Sequence, residues 1–516
     1  GRRYTDLEWG HELYCYGHLI QAAVARLRTT GEDRFTDVAL RAADHVCDEF
    51  GESGRDAVCG HPGVEMALVE LYRTTGQRRY LNQAGLFVSR RGRHTLPATG
   101  PGRAYFQDEV PVRAAEAFHG HAVRALYLAC GAVDVAVETG DDELLSAVVR
   151  QWERTVARRT YLTGAMGSRQ HDEAFGEDFE LPPDLAFGES CAAVASVMLC
   201  WRLLLATGEA RFADLAERTL FNAVAGAVSD DGMSFFYSNT LHQRGLPRPP
   251  DPDWDSPREA AGMRAPWYDV SCCPTNIART LASLAGYVAT ADSSGVQVHQ
   301  LVPATVRARV SGAGPVELRV RTDYPGGGRV VVRIVSSVDA PFAVRVRVPS
   351  WAGTAELRAF GWCEPVGPGY AQVRRVWRPG DEIVLDLPMN PRWTRPDPRL
   401  DAVRGCVAAE RGPLVYCVES VDQPDVDLGG LTVQADTPPA ATESVTAGRS
   451  TAPALSAPAL SAPALCAPDG DGRWPYGAPR PPRGHATTAL FVPYHQWGNR
   501  GPSTMRVFVP ERPRRT

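Results

Sequence analysis

From about residue 10 to 290, apolar side chains recur at three- and four-residue spacing, as in Leu13, Tyr16, Leu19, Ile20, Ala23, Val24 and Leu27. That is the period of an amphipathic helix. A repeated phrase punctuates the helices: Thr30-Gly31 before Arg34-Phe35, Thr75-Gly76 before Arg79-Tyr80, Thr139-Gly140 before Leu144, and Thr207-Gly208 before Arg211-Phe212. Each glycine suits a helix C-cap, and each following segment opens another helix. The glycines stand 45, 64 and 68 residues apart, irregular for a solenoid but suited to helical hairpins carrying inserted loops. An (α/α) barrel closes such an array and gathers the long loops at one end, so function is expected in the insertions.

From about 295 to 400 the period changes to two, as in Val316-Glu317-Leu318-Arg319-Val320 and Val330-Val331-Val332-Arg333-Ile334, which predicts an antiparallel sandwich. A second β-rich region runs from about 401 to 510. It is interrupted by Ala452-Pro453-Ala454-Leu455-Ser456 and near copies through Leu465, which read as a flexible, partly extended linker at about 438–470. The expected organisation is therefore multidomain α plus β: a helical barrel over 1–293, a β-sandwich over 294–398, and a second β-sandwich region over 399–516.

Composition narrows the function classes. Of 516 residues, 22% are charged and 44% hydrophobic, as in a soluble globular protein. The net charge of −5 is small, and the basic clusters are short, such as Arg90-Arg91-Gly92-Arg93 and Pro510 to Arg515, so no nucleic-acid partner is expected. The longest apolar run, Cys191 to Ala206, is interrupted by Arg202 and is shorter than the roughly 20 residues a membrane span needs. No apolar stretch follows Gly1-Arg2-Arg3-Tyr4, so neither a secretion signal nor a membrane partner is expected, and the expected location is cytoplasmic. Twelve cysteines, two of them adjacent at Cys272 and Cys273, point to metal binding or nucleophilic chemistry in a reducing compartment ahead of disulfides.

The chemistry concentrates in two motifs. Gly188-Glu189-Ser190-Cys191 and Ser271-Cys272-Cys273-Pro274 together offer one carboxylate and three thiols, a set that zinc accepts tetrahedrally. Glu189 and Cys191 converge only if their segment is extended or is the turn entering the helix that begins near Ala192. Pro274 favours an extended Cys273 and is a good first residue for a helix from Thr275 to Ala289. Both cysteines then lie near a positive helix end, where metal, dipole and burial hold Cys272 as a thiolate. Buried core cysteines and a purely structural zinc clamp fit the same spacing. Glu173, in a glycine-bearing polar loop, is a candidate proton donor, and His11, His61 and His121 are candidate partners for sugar hydroxyls.

Several ordered motifs resemble one family along nearly the whole chain: His11-Glu12-Leu13-Tyr14-Cys15, Gly120-His121-Ala122-Val123-Arg124-Ala125, Thr163-Gly164-Ala165-Met166-Gly167, the two cysteine motifs, Arg411-Gly412-Pro413-Leu414-Val415-Tyr416, and Asn499-Arg500-Gly501-Pro502. The chain resembles the cysteine-dependent β-L-arabinofuranosidases of glycoside hydrolase family 127. The resemblance implies an (α/α)6 barrel followed by β-sandwich domains, a Zn2+ cofactor on Glu189, Cys191, Cys272 and Cys273, Cys272 as nucleophile, and Glu173 as acid/base. It also implies a sugar pocket lined by His11, His61, His121, Glu217 and Tyr237. Because the family's catalytic domain begins well before the His-Glu-Leu-Tyr motif, and fewer than twelve clear helices precede residue 290, the barrel is expected to be truncated at its start. The expected activity is retaining, exo-acting release of terminal β-L-arabinofuranose from an arabinose-containing oligosaccharide or glycoconjugate, with a homodimer as the candidate assembly. Two other readings compete with it: a carbohydrate-binding protein with a structural zinc, and a glycosidase using two carboxylates drawn from Asp172, Glu173, Glu177 and Asp178.

Overall fold

The computed structural model describes residues 3–97, 99–249, 257–258, 262–311, 314–336, 338–442, 457–467 and 484–512. Contacts divide the chain into two compact units. The first comprises Gly1–Tyr161, Met166–Leu181 and Ala195–Gly208, and the second Leu162–Ala165, Pro182–Val194 and Glu209–Thr516.

The first unit is helical: α1 (Glu12–Thr29), α2 (Arg34–Phe50), α3 (Val64–Thr75), α4 (Arg78–Arg90), α5 (Ala122–Thr139) and α6 (Asp142–Arg158), joined by the Ala195–Thr207 part of α7 (Ser190–Thr207). Local signals set the ends. Asp33 caps α2 by accepting from the Phe35 and Thr36 amides, while the Thr36 hydroxyl accepts from the Asp33 amide, closing a reciprocal box. The four Thr-Gly phrases behave as expected, since Gly31, Gly76, Gly140 and Gly208 all take positive φ where a helix stops. Helix α3 packs on α1, α4 and α5, and α5 is buried on every side from Ala122 to Ala136. Helix α7 is long and apolar enough to cross a membrane by length and composition, yet 72% of it is buried inside the protein. The Arg202 that interrupts its apolar run meets buried Asp134 of α5 at 2.7 Å.

In the second unit, α8 (Ala210–Thr219) runs through a π-turn at Leu220–Val224 into the single turn α9 (Ala225–Ala227), and α10 spans Cys273–Ser283. A short strand, β1 (His242–Gln243), precedes α10, after which the chain turns to strands: β2 (Ala289–Ala291), β3 (Gly295–Val298), β4 (Ala304–Val310), β5 (Gly314–Thr322), β6 (Arg329–Ser336), β7 (Phe342–Val348), β8 (Ala355–Ala359), β9 (Trp362–Val366), β10 (Gly369–Arg375) and β11 (Glu382–Asp386). There follow β12 (Pro391–Thr394), β13 (Cys406–Arg411), β14 (Leu414–Glu419), β15 (Leu431–Val433), β16 (Ala440–Thr442), β17 (Ala459–Cys466), β18 (His485–Pro493), β19 (Met505–Arg506) and β20 (Val509–Pro510). A six-stranded sheet, β4-β5-β6-β11-β8-β9, and a four-stranded sheet, β10-β7-β3-β2, contribute their alternate residues to one apolar core, among them Val316, Leu318, Val332 and Val344. A ten-stranded sheet built around β14, β17 and β18 forms the C-terminal part.

Two local expectations change. Within the expected linker at about 438–470, residues 443–456 and 468–470 lie outside the described residues, but Ala459–Cys466 is an interior strand, paired to β18 on one side and to β15 and β16 on the other. Leu460, Ala462, Ala464 and Cys466 turn inward in strict alternation. Pro463, which has no N–H to give, falls in the gap between the two short pairings, where the Gln434 amide uses only its carbonyl. The helix expected at Thr275–Ala289 begins earlier, at Cys273, and stops at Ser283. Pro274 still falls in the first turn, where its missing N–H would have had no helical partner.

Candidate functional site

The second unit brings Glu189, Cys191, Cys272 and Cys273 together at two helix starts. Glu189 immediately precedes α7 and Cys191 lies in its first turn, while Cys272 is the N-cap of α10 and Cys273 its first residue. Glu189 is thus in the turn entering the helix, the geometry that lets residues two apart converge. A second strand of chain fixes this entry. The Ser190 amide donates to the Tyr237 carbonyl at 3.0 Å, and the Asn239 side-chain amide donates to the Gly188 carbonyl at 2.8 Å.

Within the cluster, Cys191 Sγ lies 3.0 Å from Cys272 Sγ and 3.6 Å from Cys273 Sγ, and Cys272 Sγ lies 3.2 Å from Glu189 Oε1. The Tyr237 hydroxyl stands 3.4 Å from Cys272 Sγ. Glu189, Cys191 and Cys273 are buried, whereas Cys272 keeps part of its surface exposed. Hydrogen bonds from Cys191 and Cys273, with help from Tyr237 and Glu189, hold the Cys272 thiol well below its ordinary value. Burial pushes Cys191 and Cys273 well up. The donor set fits a metal: one ligand atom from each of the four residues lies within 4.8 Å of all the others. Sulfurs on one tetrahedral zinc would stand about 3.8 Å apart, so only a small outward adjustment separates this packing from ligation. Full ligation would put three thiolates and a carboxylate in a buried site, a charge that a bound cation would offset.

The first unit holds His11, His61, His121 and Glu173. His11, His61 and His121 form a row, with ring centroids 5.7 Å apart between His11 and His61 and 6.0 Å between His61 and His121. Tyr14 packs on His61 at 4.2 Å and Tyr105 on His121 at 5.5 Å. Sequence reasoning left both tyrosines out, although Tyr14 follows His11 by one helical turn. Partial desolvation, then the nearby Arg124 guanidinium, lowers the imidazole of His11, which is still exposed, and full burial beside the same arginine lowers that of His61 much further. His61 therefore stays neutral, and its Nδ1–H donates to the Pro62 carbonyl at 2.8 Å, leaving Nε2 as an acceptor. Glu173 is buried, takes a positive φ, and meets His121 Nε2 at 3.0 Å.

Glu217 sits elsewhere. Its carboxylate is buried and bound by Arg347 of β7, with the Trp351 indole N–H 3.4 Å from its other oxygen. None of these partners belongs to the thiol cluster, so Glu217 is placed as one end of an ion pair. Of the other acids considered, Glu177 is exposed and Asp178 is held by Arg154, Arg158 and Arg159. Although burial opposes it, the Arg159 and Arg158 hydrogen bonds bring Asp178 down to about 2, which leaves it a constant anion and a poor proton donor.

Comparison with known proteins finds relatives along nearly the whole chain. The GH127 β-L-arabinofuranosidase catalytic domain matches residues 1–286, the GH127 middle domain 295–389, and the glycoside hydrolase family 127 C-terminal domain 391–510. The non-reducing end β-L-arabinofuranosidase of Bifidobacterium longum subsp. longum is 33% identical, over 98% of this chain and 79% of that protein. The crystal structure of a GH127 β-L-arabinofuranosidase from Geobacillus stearothermophilus T6 superposes with a TM-score of 0.89 at 32% identity, covering 99% of this chain and 82% of the other. A further GH127 β-arabinofuranosidase structure gives a TM-score of 0.85 at 30% identity, covering 99% and 78%. The chain belongs to glycoside hydrolase family 127 and is a glycosidase, an enzyme that hydrolyses O-glycosyl bonds.

Proposed function

We propose that this glycosidase releases terminal β-L-arabinofuranose, with retention of configuration, from an arabinose-containing oligosaccharide or glycoconjugate. The observation that carries the reading is Cys272: it alone in the cluster is partly exposed, and hydrogen bonds from its neighbours hold its thiol well below the ordinary value. The named activity of the relatives supplies the sugar.

In the first step the Cys272 thiolate attacks the anomeric carbon, the glycosidic C–O bond breaks, and the proton of the Glu173 carboxylic acid passes to the departing oxygen. In the second, the Glu173 carboxylate takes a proton from water while the water oxygen bonds to the anomeric carbon. The C–S bond breaks and the thiolate is restored. Two inversions give net retention, the two-step logic of carboxylate glycosidases with sulfur in place of the second acid. A Zn2+ held by Glu189, Cys191, Cys272 and Cys273 would lower the thiol pKa and improve the sulfur as a leaving group. The neutral His11 and His61 and the Tyr237 hydroxyl are suited to sugar hydroxyls. The helical region is taken as the family's (α/α)6 barrel, and a reducing, cytoplasmic setting suits the clustered thiols.

The test is hydrolysis of p-nitrophenyl β-L-arabinofuranoside with metal content assayed alongside and Cys272→Ser as control. Zinc-dependent turnover, lost in a folded variant that retains its circular dichroism spectrum, is the expected result. Substantial turnover by Cys272→Ser would sink the nucleophile assignment, and zinc without turnover would move the reading to another sugar.

A further inference from the structure

Glu173 is held in an unusual way. Its backbone is left-handed, at φ 57°, a conformation that a residue with a Cβ adopts only where its surroundings impose it. The imposition comes from the chain around His121. The Ala122 amide donates to the Glu173 carbonyl at 3.0 Å, the Phe175 amide donates to the Gly120 carbonyl at 2.9 Å, and His121 lies opposite Ala174 as an antiparallel pair. That segment is itself pinned. The Gln107 side-chain amide donates to the Tyr105 and His119 carbonyls, both at 2.9 Å, and Gly120 admits no side chain, since a Cβ there would fall 2.2 Å from the Ala104 carbonyl oxygen.

The His121 ring continues the same scaffold. Its Nδ1 accepts the Val123 amide at 3.2 Å, capping α5, so the ring's proton must reside on Nε2. Nε2–H then donates to Glu173 Oε2 at 3.0 Å. With Oε2 serving as acceptor, Oε1 is the oxygen left to deliver the proton that the proposed mechanism requires of Glu173. We propose that His121 is a positioning residue for Glu173: through a tautomer locked by the start of α5, it fixes the orientation of the carboxyl group and the oxygen from which the proton is delivered. The inference rests on the acid/base reading of Glu173 and assigns His121 a role other than binding sugar.

The two roles separate by leaving group, because an aglycone that departs as a stable anion needs no proton, whereas phenol or a sugar alcohol does. The experiment measures kcat/KM for 2,4-dinitrophenyl, p-nitrophenyl and phenyl β-L-arabinofuranosides with wild type, His121→Asn, His121→Gln and Glu173→Ala. His121→Asn keeps a capping oxygen for the Val123 amide but is too short to hold the carboxyl group as histidine does. It is expected to lower kcat/KM for the phenyl substrate by about 10- to 100-fold, the scale of a misplaced reacting group, while the dinitrophenyl substrate stays within about 3-fold. His121→Gln, which retains a donor of longer reach, is expected to recover part of the phenyl activity. Equal losses on every substrate in His121→Asn, with Glu173→Ala still selective for leaving group, would overturn the inference and return His121 to the sugar. If Glu173→Ala itself shows no leaving-group selectivity, the acid/base reading fails and the inference fails with it.

Discussion

Replacing Glu217 with Gln separates a structural acid from a sugar-binding one. Arg347 is fully buried and bound by both Asp214 and Glu217, with its Nε donating to the His299 carbonyl at 2.6 Å. Removing one partner of such a buried pair costs about 3–5 kcal/mol when it leaves the other charge uncompensated. Here Asp214 remains, and the glutamine amide oxygen still accepts a hydrogen bond, so the lower end, about 3 kcal/mol, is expected. For a cooperative region of 150–250 residues that is a fall of roughly 6–12 °C in thermal midpoint. The assay is calorimetry of the intact protein, paired with kcat and KM below the transition. A double-mutant cycle with Arg347→Met should show a coupling of at least about 1 kcal/mol, because the two residues are in direct contact. A Glu217→Gln protein with an unchanged midpoint and a KM raised tenfold or more would refute the reasoning and restore Glu217 to the sugar pocket.

Removing metal tests the thiol cluster as a unit. Chelation should abolish turnover and make Cys191, Cys272 and Cys273 newly reactive to a thiol reagent, with Zn2+ reversing both effects; full activity in metal-free protein would contradict the proposal. Acid should weaken the second unit through His299, whose imidazole burial pushes down to about 4 from 6.5. Between those values the unfolded chain binds the proton and the folded one does not. Stability attributable to this group is therefore intact above pH 6.5 and falls towards pH 4, by at most about 1.4 kcal/mol per pH unit. Urea unfolding followed across that range should show a slope that His299→Gln reduces, and an unchanged slope would remove His299 as its source.

The residues legible from sequence share a physical cause. Glu189, Cys191, Cys272 and Cys273 all stand at helix starts, where the chain advertises its geometry locally: a polar pair ahead of a long apolar run, and a proline in the first turn. His121 was legible for the same reason, as the residue before α5. Glu217 was not, because it lies within α8 and its surroundings are set by Arg347, far along the chain on β7. Resemblance alone had assigned it, and no local signal could report its ion-pair partner. Tyr105 likewise acquires its place beside His121 only through tertiary packing. The strand Ala459–Cys466 failed differently: its period-two pattern was present, but alanine, serine and proline are poor strand formers, and only pairing with β18 and β15 makes the segment a strand. Local grammar thus reaches a side chain when one helix start determines where it points. It stops where a partner from another element decides the matter, and Glu173 stands on that boundary. Its loop was legible as polar and glycine-bearing, but the left-handed backbone that aims the carboxyl group is imposed by the Gly120–Ala122 segment, so the proposed mechanism depends on a contact that Glu173's own neighbours in sequence do not encode.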